Sequence, residues 1–506
     1  MKKLAIITTI VLGLAATSCD SYLDINENPN SPAESNMTPS IMMPAAEMNL
    51  AATYGNLMRI PAGYFTQHFA HAFGTSNYVD YSQFEAKATR SNTAYSQMMR
   101  GALKNLETIR TLSEESGEWG TYLAATTLRA FAFQSLVDSY GDLPFSEAFD
   151  VSNPTPHYDN GQDIYTALIA ELDEALSKAS ASDRVCTNFL FHGTNTAANW
   201  IKFANTVKLK LLSRESGVAG VDAQIGALIA ENNMIDSDVA YAGIWSSENG
   251  GMNPYWSEEF ATNFGSTQIN VVANIAIIGT MLQKDNEGGV IYEDPRLAAY
   301  FETNGSGNYT GGISGTNFST SDAFKSTYWC RPVASYDMPL SLISLAEKEF
   351  FISEYYARTG NSSAAAEHYA AAIEASFASA GVSGAADYVA QFPYDQSNYK
   401  KCLGIAKWVH LAGVDNFESW CELRRLRYPA FGSVKGSDMY NLQSDDSYKP
   451  ELYQAGTLYT PIQVFSQVGA NKLLERLPYP AVSTSSNMNA PKFTDSDYTK
   501  PLFWAN

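Results

Sequence analysis

The sequence predicts a mainly α fold: helical hairpins stacked as a scaffold and overlaid by long loops with short strands. Three observations predict it. Residues 342–377 read as two helices around a sharp break. Amphipathic helical segments recur before and after them. Between those segments lie 241–264 and 304–329, rich in Gly, Asn, Ser and aromatic residues and nearly free of periodicity.

The hairpin is the clearest element. Apolar residues recur at helical spacing up to Tyr356, Thr359-Gly360-Asn361 breaks the run, and Ser362-Ser363 can cap the next helix. Ile352, Ser353, Tyr356, Ala365, Tyr369 and Ala372 alternate large and small in the order of a tetratricopeptide unit, with Glu349 in place of the consensus Trp. One hairpin cannot bury its own apolar face, so others must stack on it. Further helices are predicted over 42–59, 95–112, 122–140, 163–179, 196–213, 223–232, 399–413 and 416–424. Gly141 and Pro144 stop the 122–140 helix. Loops as long as 241–264 and 304–329 are usually functional. The helices and loops interleave, so 40–506 reads as a single domain with a discontinuous scaffold.

Composition narrows the function. The chain has 506 residues, a formal charge of −20, 17% charged residues and 30 Tyr. Such an acidic chain without a basic patch argues against nucleic acid as a partner. Low charge with many Tyr and Asn suits an extracellular surface that contacts polar ligands.

The N-terminus is specific. Lys2-Lys3 precede an apolar run, 4–16, too short to span a bilayer. Ala16-Thr17-Ser18 then lead into Cys19. Residues 1–18 read as a lipoprotein signal peptide, Cys19 as the acylated first residue, and 19–39 as a polar tether. The leader carries two lysines and no acid, so its loss takes the formal charge to −22. Cys186, Cys330, Cys402 and Cys421 form no disulfide framework; a Cys402–Cys421 bridge is allowed but not demanded, and buried free thiols are the preferred state.

Several ordered stretches carry a family resemblance. They are Cys19–Asn26 with Asn28-Pro29-Asn30, Leu128-Arg129-Ala130-Phe131 through Asp138–Ala148, Asp294-Pro295-Arg296-Leu297, Phe417–Arg425 with Tyr428-Pro429, and Arg476–Pro480. In these the chain resembles the SusD/RagB family of nutrient-binding outer-membrane lipoproteins, in its SusD-like branch. The resemblance implies four tetratricopeptide-like units, a cell surface location in the outer membrane through the lipid anchor, and a SusC-like TonB-dependent transporter as partner. It implies capture of a glycan, or in some members a peptide, and no enzymatic activity.

The residues themselves bear on the ligand. Sugar rings present flat C–H faces that stack on aromatic rings, while amides and carboxylates bond the hydroxyls. Tyr78 and Tyr81 in the 74–84 loop, flanked by Asn77 and Asp80, are the first candidates; Tyr255, Trp256, Tyr309 and Trp329 follow. Adjacent Glu258-Glu259 point apart and do not make a glycosidase pair. His68 and His71 lack a third ligand, and no Walker loop, dinucleotide fingerprint or nucleophile elbow occurs, so no metal or cofactor is implied. The blocks 138–148 and 476–480, and the basic run Arg424-Arg425-Leu426-Arg427, read as structural, with arginines paired to carboxylates and helix ends. The function reading is a surface glycan-capturing lipoprotein; the alternatives are a peptide-capturing member with the same partner and a protein-binding tetratricopeptide scaffold.

The anchor reading is directly testable. Cys19→Ala is expected to move the protein from the membrane fraction to the soluble fraction on cell fractionation. Unchanged partitioning would contradict it.

Overall fold

A computed structural model of the chain describes residues 37–72, 77–261, 270–285, 287–316, 329–440 and 448–505. The signal peptide, Cys19 and most of the tether lie outside the described residues, as do parts of the three predicted loops.

Helices build the frame. They are α1 (Pro39–Ala52), α2 (Arg59–Phe65), α3 (Lys104–Ser116), α4 (Trp119–Tyr140), α5 (Gly161–Lys178), α6 (Ala198–Arg214), α7 (Val221–Glu231), α8 (Leu345–Arg358), α9 (Ser362–Ser379), α10 (Tyr399–Val414) and α11 (Asn416–Leu426). A wide turn at Thr53–Met58 joins α1 to α2 without a break. Strands are short and pair antiparallel: β1 (Phe69–His71) with β3 (Val271–Ala273), β2 (Val239–Tyr241) with β6 (Leu340–Ile343), and β4 (Leu282–Lys284) with β5 (Val290–Glu293). They tie the loops to the frame. Among the described residues no helix is long and apolar enough to cross a membrane.

The α8–α9 hairpin has the anticipated packing. Ile352, Ser353, Ala365, Tyr369 and Ala372 are buried, and the Ser353 hydroxyl donates across the hairpin to the Ala365 carbonyl at 2.7 Å. Tyr356 is only half-buried, stacked on His368 at 5.4 Å. Glu349 bonds His368 at 2.6 Å, a polar contact where the repeat consensus has a Trp. Two details differ from expectation. Asn361, not Ser362, caps α9, because its side chain reaches the Ala364 N–H. Residues 342–343 belong to β6, and Ser344 with Glu347 forms the capping box that starts α8.

Charge sits in the middle of the helical frame. Arg214 of α6 is fully buried and pairs with Glu418 (2.5 Å), Glu422 and Asp138. Lys210 reaches Glu418 at 2.8 Å, Lys407 reaches Glu422 at 2.8 Å, and Arg425 spans Glu422 and Glu354. Five helices (α4, α6, α8, α10 and α11) thus meet through one network. Burial opposes the charge on Glu422, yet Arg425, Lys407 and Arg214 hold it well below the usual carboxylate range. The basic run at the end of α11 is structural, as anticipated. Arg424 differs in detail: it stacks 3.5 Å from the Trp420 ring centroid and donates to the Glu475 and Asp138 carbonyls rather than to carboxylates.

The 138–148 block is likewise locked by main-chain bonds. Gly141 adopts φ +85°, and Arg476 donates to the Tyr140 carbonyl at 2.6 Å. Cys186, Cys330, Cys402 and Cys421 are free thiols; Cys330 and Cys421 are buried, whereas Cys186 and Cys402 are half-buried.

Ala372 faces α8 with no accessible surface. Ala372→Trp is expected to overpack that interface and destabilise the protein by about 1–3 kcal/mol, read from the midpoint of a urea titration.

Candidate ligand-binding face

Asn253 organises the loop face. Standing before Pro254, it caps the short helix Pro254–Glu259 by accepting from the Tyr255 N–H at 2.9 Å. Its amide donates to the Met338 carbonyl, and its main-chain N–H donates to the Tyr336 carbonyl, each at 2.8 Å. One side chain therefore joins the 241–261 loop to the segment entering β6.

The short helix presents two kinds of residue. Tyr255 points inward. It is fully buried, with the Arg59 guanidinium 4.2 Å from its ring centroid and Phe69 stacked alongside. Arg59 also donates to Asn416 at the start of α11, so Tyr255 docks the loop onto the frame. Glu259, four residues on from Tyr255, is buried with it, whereas Trp256 is turned partly outward. Trp256 is half-buried and meets Tyr336 edge-on at 6.3 Å. Tyr336 is 37% exposed. Glu259 accepts from the Tyr78 hydroxyl at 2.6 Å. Burial raises the Glu259 carboxyl above its ordinary range, and the Tyr78 and Asn270 bonds oppose that rise.

Tyr78 holds a left-handed backbone (φ 64°) at the start of a one-turn helix, Val79–Ser82. Its ring is half-buried and stacks on Tyr81 at 5.7 Å. Asn77 beside it is exposed and donates to Asn270 at 3.2 Å. Tyr81 and Asp80 differ from expectation. Tyr81 is 9% exposed, wedged against Phe65. Asp80 is 5% exposed and receives both Nε and Nη2 of Arg90, at 2.9 and 3.1 Å. Of the two polar flanks that placed this segment on the surface, Asp80 is consumed by internal bonds.

Trp329 is also buried, edge-on to Tyr448 at 5.1 Å. As placed, Tyr81, Tyr255 and Trp329 are anchors with little free ring face. Tyr309 is half-buried and lines a separate cleft with Tyr448 and Tyr453. Of the predicted site residues of this region, Asn77, Tyr78 and Trp256 keep exposed surface, and Glu259 of the short helix links Tyr78 to the helix that carries Trp256. Tyr336, Asn253, Glu259 and Arg59 were not anticipated. The Asn-Pro cap signal could have found Asn253; nothing local marks Arg59 or Glu259, whose partners are distant in sequence. His68 is buried between Asn416 and the Trp408 ring, and burial pushes its imidazole down to about 3. Among the described residues, no group of three or more His, Cys, Asp or Glu side chains is placed to hold a metal ion.

A helical frame thus carries loops with half-exposed aromatic and amide side chains. The chain belongs to the SusD-like family described as "Starch-binding associating with outer membrane", whose model matches residues 29–447. It is thereby a nutrient-binding protein associated with the outer membrane. No curated protein matches it. Among solved structures, it is similar to a SusD homologue from Bacteroides uniformis (21% identity, 91% of this chain and 98% of that one, TM-score 0.68). It is also similar to a chitin-binding protein (19% identity, 93% and 100% covered, TM-score 0.69) and to a SusD-like protein of Bacteroidetes (19%, 93% and 100%, TM-score 0.70). At those identities the likeness is one of fold.

The Tyr78–Glu259 bond fastens the 77–84 segment to the short helix. Tyr78→Phe is expected to cost about 1.5–3 kcal/mol and to speed amide exchange in residues 78–84, measured by hydrogen–deuterium exchange.

Proposed function

We propose that the protein is a lipid-anchored surface protein, held through Cys19, that captures a glycan and delivers it to a SusC-like TonB-dependent transporter, without catalysing a reaction. One observation carries the glycan reading: Tyr78, Trp256 and Tyr336 offer partly open rings, with exposed Asn77 beside Tyr78, on segments pinned to the frame. An aromatic face stacks on a sugar's C–H groups, and the adjacent amide bonds hydroxyls. Pinning lowers the ordering cost of binding. The family's starch-binding description and the chitin-binding neighbour support the same ligand class. Affinity at such an open site is modest, because hydroxyls must lose water.

Trp256→Ala is the cleaner probe, since Tyr78 also holds the loop. In calorimetric titrations with the best ligand from a glycan array, it is expected to weaken binding roughly 2- to 12-fold. An unchanged affinity removes Trp256 from the site. Array-wide silence together with capture of peptides from a library would replace the glycan by a peptide. Tagged protein purified in mild detergent from its host is expected to bring a β-barrel transporter with it; repeated absence of one, with nutrient present, would remove that partner.

A further inference from the structure

Two clefts flank the β4–β5 hairpin, and neither is lined by Asn77, Tyr78, Trp256 or Tyr336. The first, about 550 Å³, runs between the hairpin and the segment after α9. Tyr292 of β5 and Phe392 line it edge to face, 5.0 Å apart, with Tyr388 packed behind Phe392. Phe392 is fixed from below, since the Tyr369 hydroxyl donates to its carbonyl at 2.8 Å. Asp395 orders the rim by accepting from Ser397 and from the Asn398 amide. The second cleft, about 800 Å³, holds Tyr309, Tyr448 and Tyr453 with Asn308. Tyr453 is held by hydroxyl contacts to Thr280 and the Thr457 carbonyl. Gln283 of β4 and Ala455 line both clefts, so the two meet along one wall.

We propose that the two clefts form one groove that binds a neutral oligosaccharide running across the β4–β5 hairpin, a second binding site beside the Trp256 face. This rests on the glycan reading above. Half-buried rings on both sides, fixed before any ligand arrives, suit successive sugar rings, and Asn308, Gln283 and Asn398 suit their hydroxyls. Two clefts sharing a wall fit a linear chain better than a single sugar. Charge selects against polyanions: acidic side chains outnumber Lys284 and Lys401 along the walls, and the whole chain carries −20.

Ala455 is exposed, so Ala455→Trp obstructs the groove without disturbing the core. Wild type, Ala455→Trp, a Tyr292→Ala/Phe392→Ala pair and Trp256→Ala are titrated calorimetrically. The probes are malto-, chito-, xylo- and manno-oligosaccharides, with oligogalacturonates as polyanions and casein-derived peptides. Ala455→Trp with a wild-type melting temperature is expected to weaken the best neutral oligomer about tenfold or remove one of two sites, and oligogalacturonates are expected to bind at least about tenfold more weakly than that oligomer. Neutral binding that Ala455→Trp leaves unchanged in affinity and stoichiometry, while Trp256→Ala abolishes it, overturns the groove and leaves the glycan reading intact. Equal binding of oligogalacturonates overturns the neutral selectivity. A wild type that binds no saccharide, or only peptides, overturns both readings.

Discussion

Desolvating an arginine costs several kcal/mol unless carboxylates surround it in good geometry. Arg214 is fully buried, and Glu418, Glu422 and Asp138 meet it from α11 and α4. Each of those acids has further partners: Lys210 for Glu418, Lys407 and Arg425 for Glu422, and the Tyr165 hydroxyl for Asp138 at 2.5 Å. Removing one member would leave the others buried and unpaired, which is far costlier than losing one contact. The network therefore fixes how α4, α6, α8, α10 and α11 sit against one another. Apolar packing alone would leave that choice less sharply defined.

The loops take their position from this frame through a few contacts. Arg59 bridges Asn416 at the head of α11 to the Tyr255 ring, and Asp415, one residue earlier, accepts from Tyr54 at 2.6 Å. Asn253 then joins the two loop segments, and β1–β3 and β2–β6 add main-chain bonds. Long irregular segments become a firm surface because a handful of buried side chains hold them. In the proposed function, that firmness lets Trp256 and Tyr78 meet a glycan at low entropic cost.

Most of the helical frame was legible in the sequence. Periodicity and stop signals located the helices to within a few residues, as at Gly141 and at the Thr359-Gly360-Asn361 break, because those features are local. The candidate face was legible in part. Composition marked the loops, but burial within them depends on partners far along the chain. Asp80 looked like a surface hydroxyl acceptor until Arg90 folded back onto it, and Tyr255 looked like a platform until Arg59 covered its ring. Tyr292 and Phe392 gave no signal, since their cleft exists only where β5 meets the segment after α9. The α11 arginines read as structural, paired to carboxylates, but nothing marked Arg214 and Lys210 of α6 as their companions, and only stacking brings the two sets together inside.

The central claim is that a rigid, charge-locked frame presents loops that alone respond to a glycan. Hydrogen–deuterium exchange with and without a saturating neutral oligosaccharide tests it most directly. The account predicts slower exchange in the described loop segments 241–261 and 329–338 and in the groove segments 283–292, 391–402 and 448–456, with α4, α6 and α11 unchanged. Protection confined to those helices, with none in the loops, would contradict it.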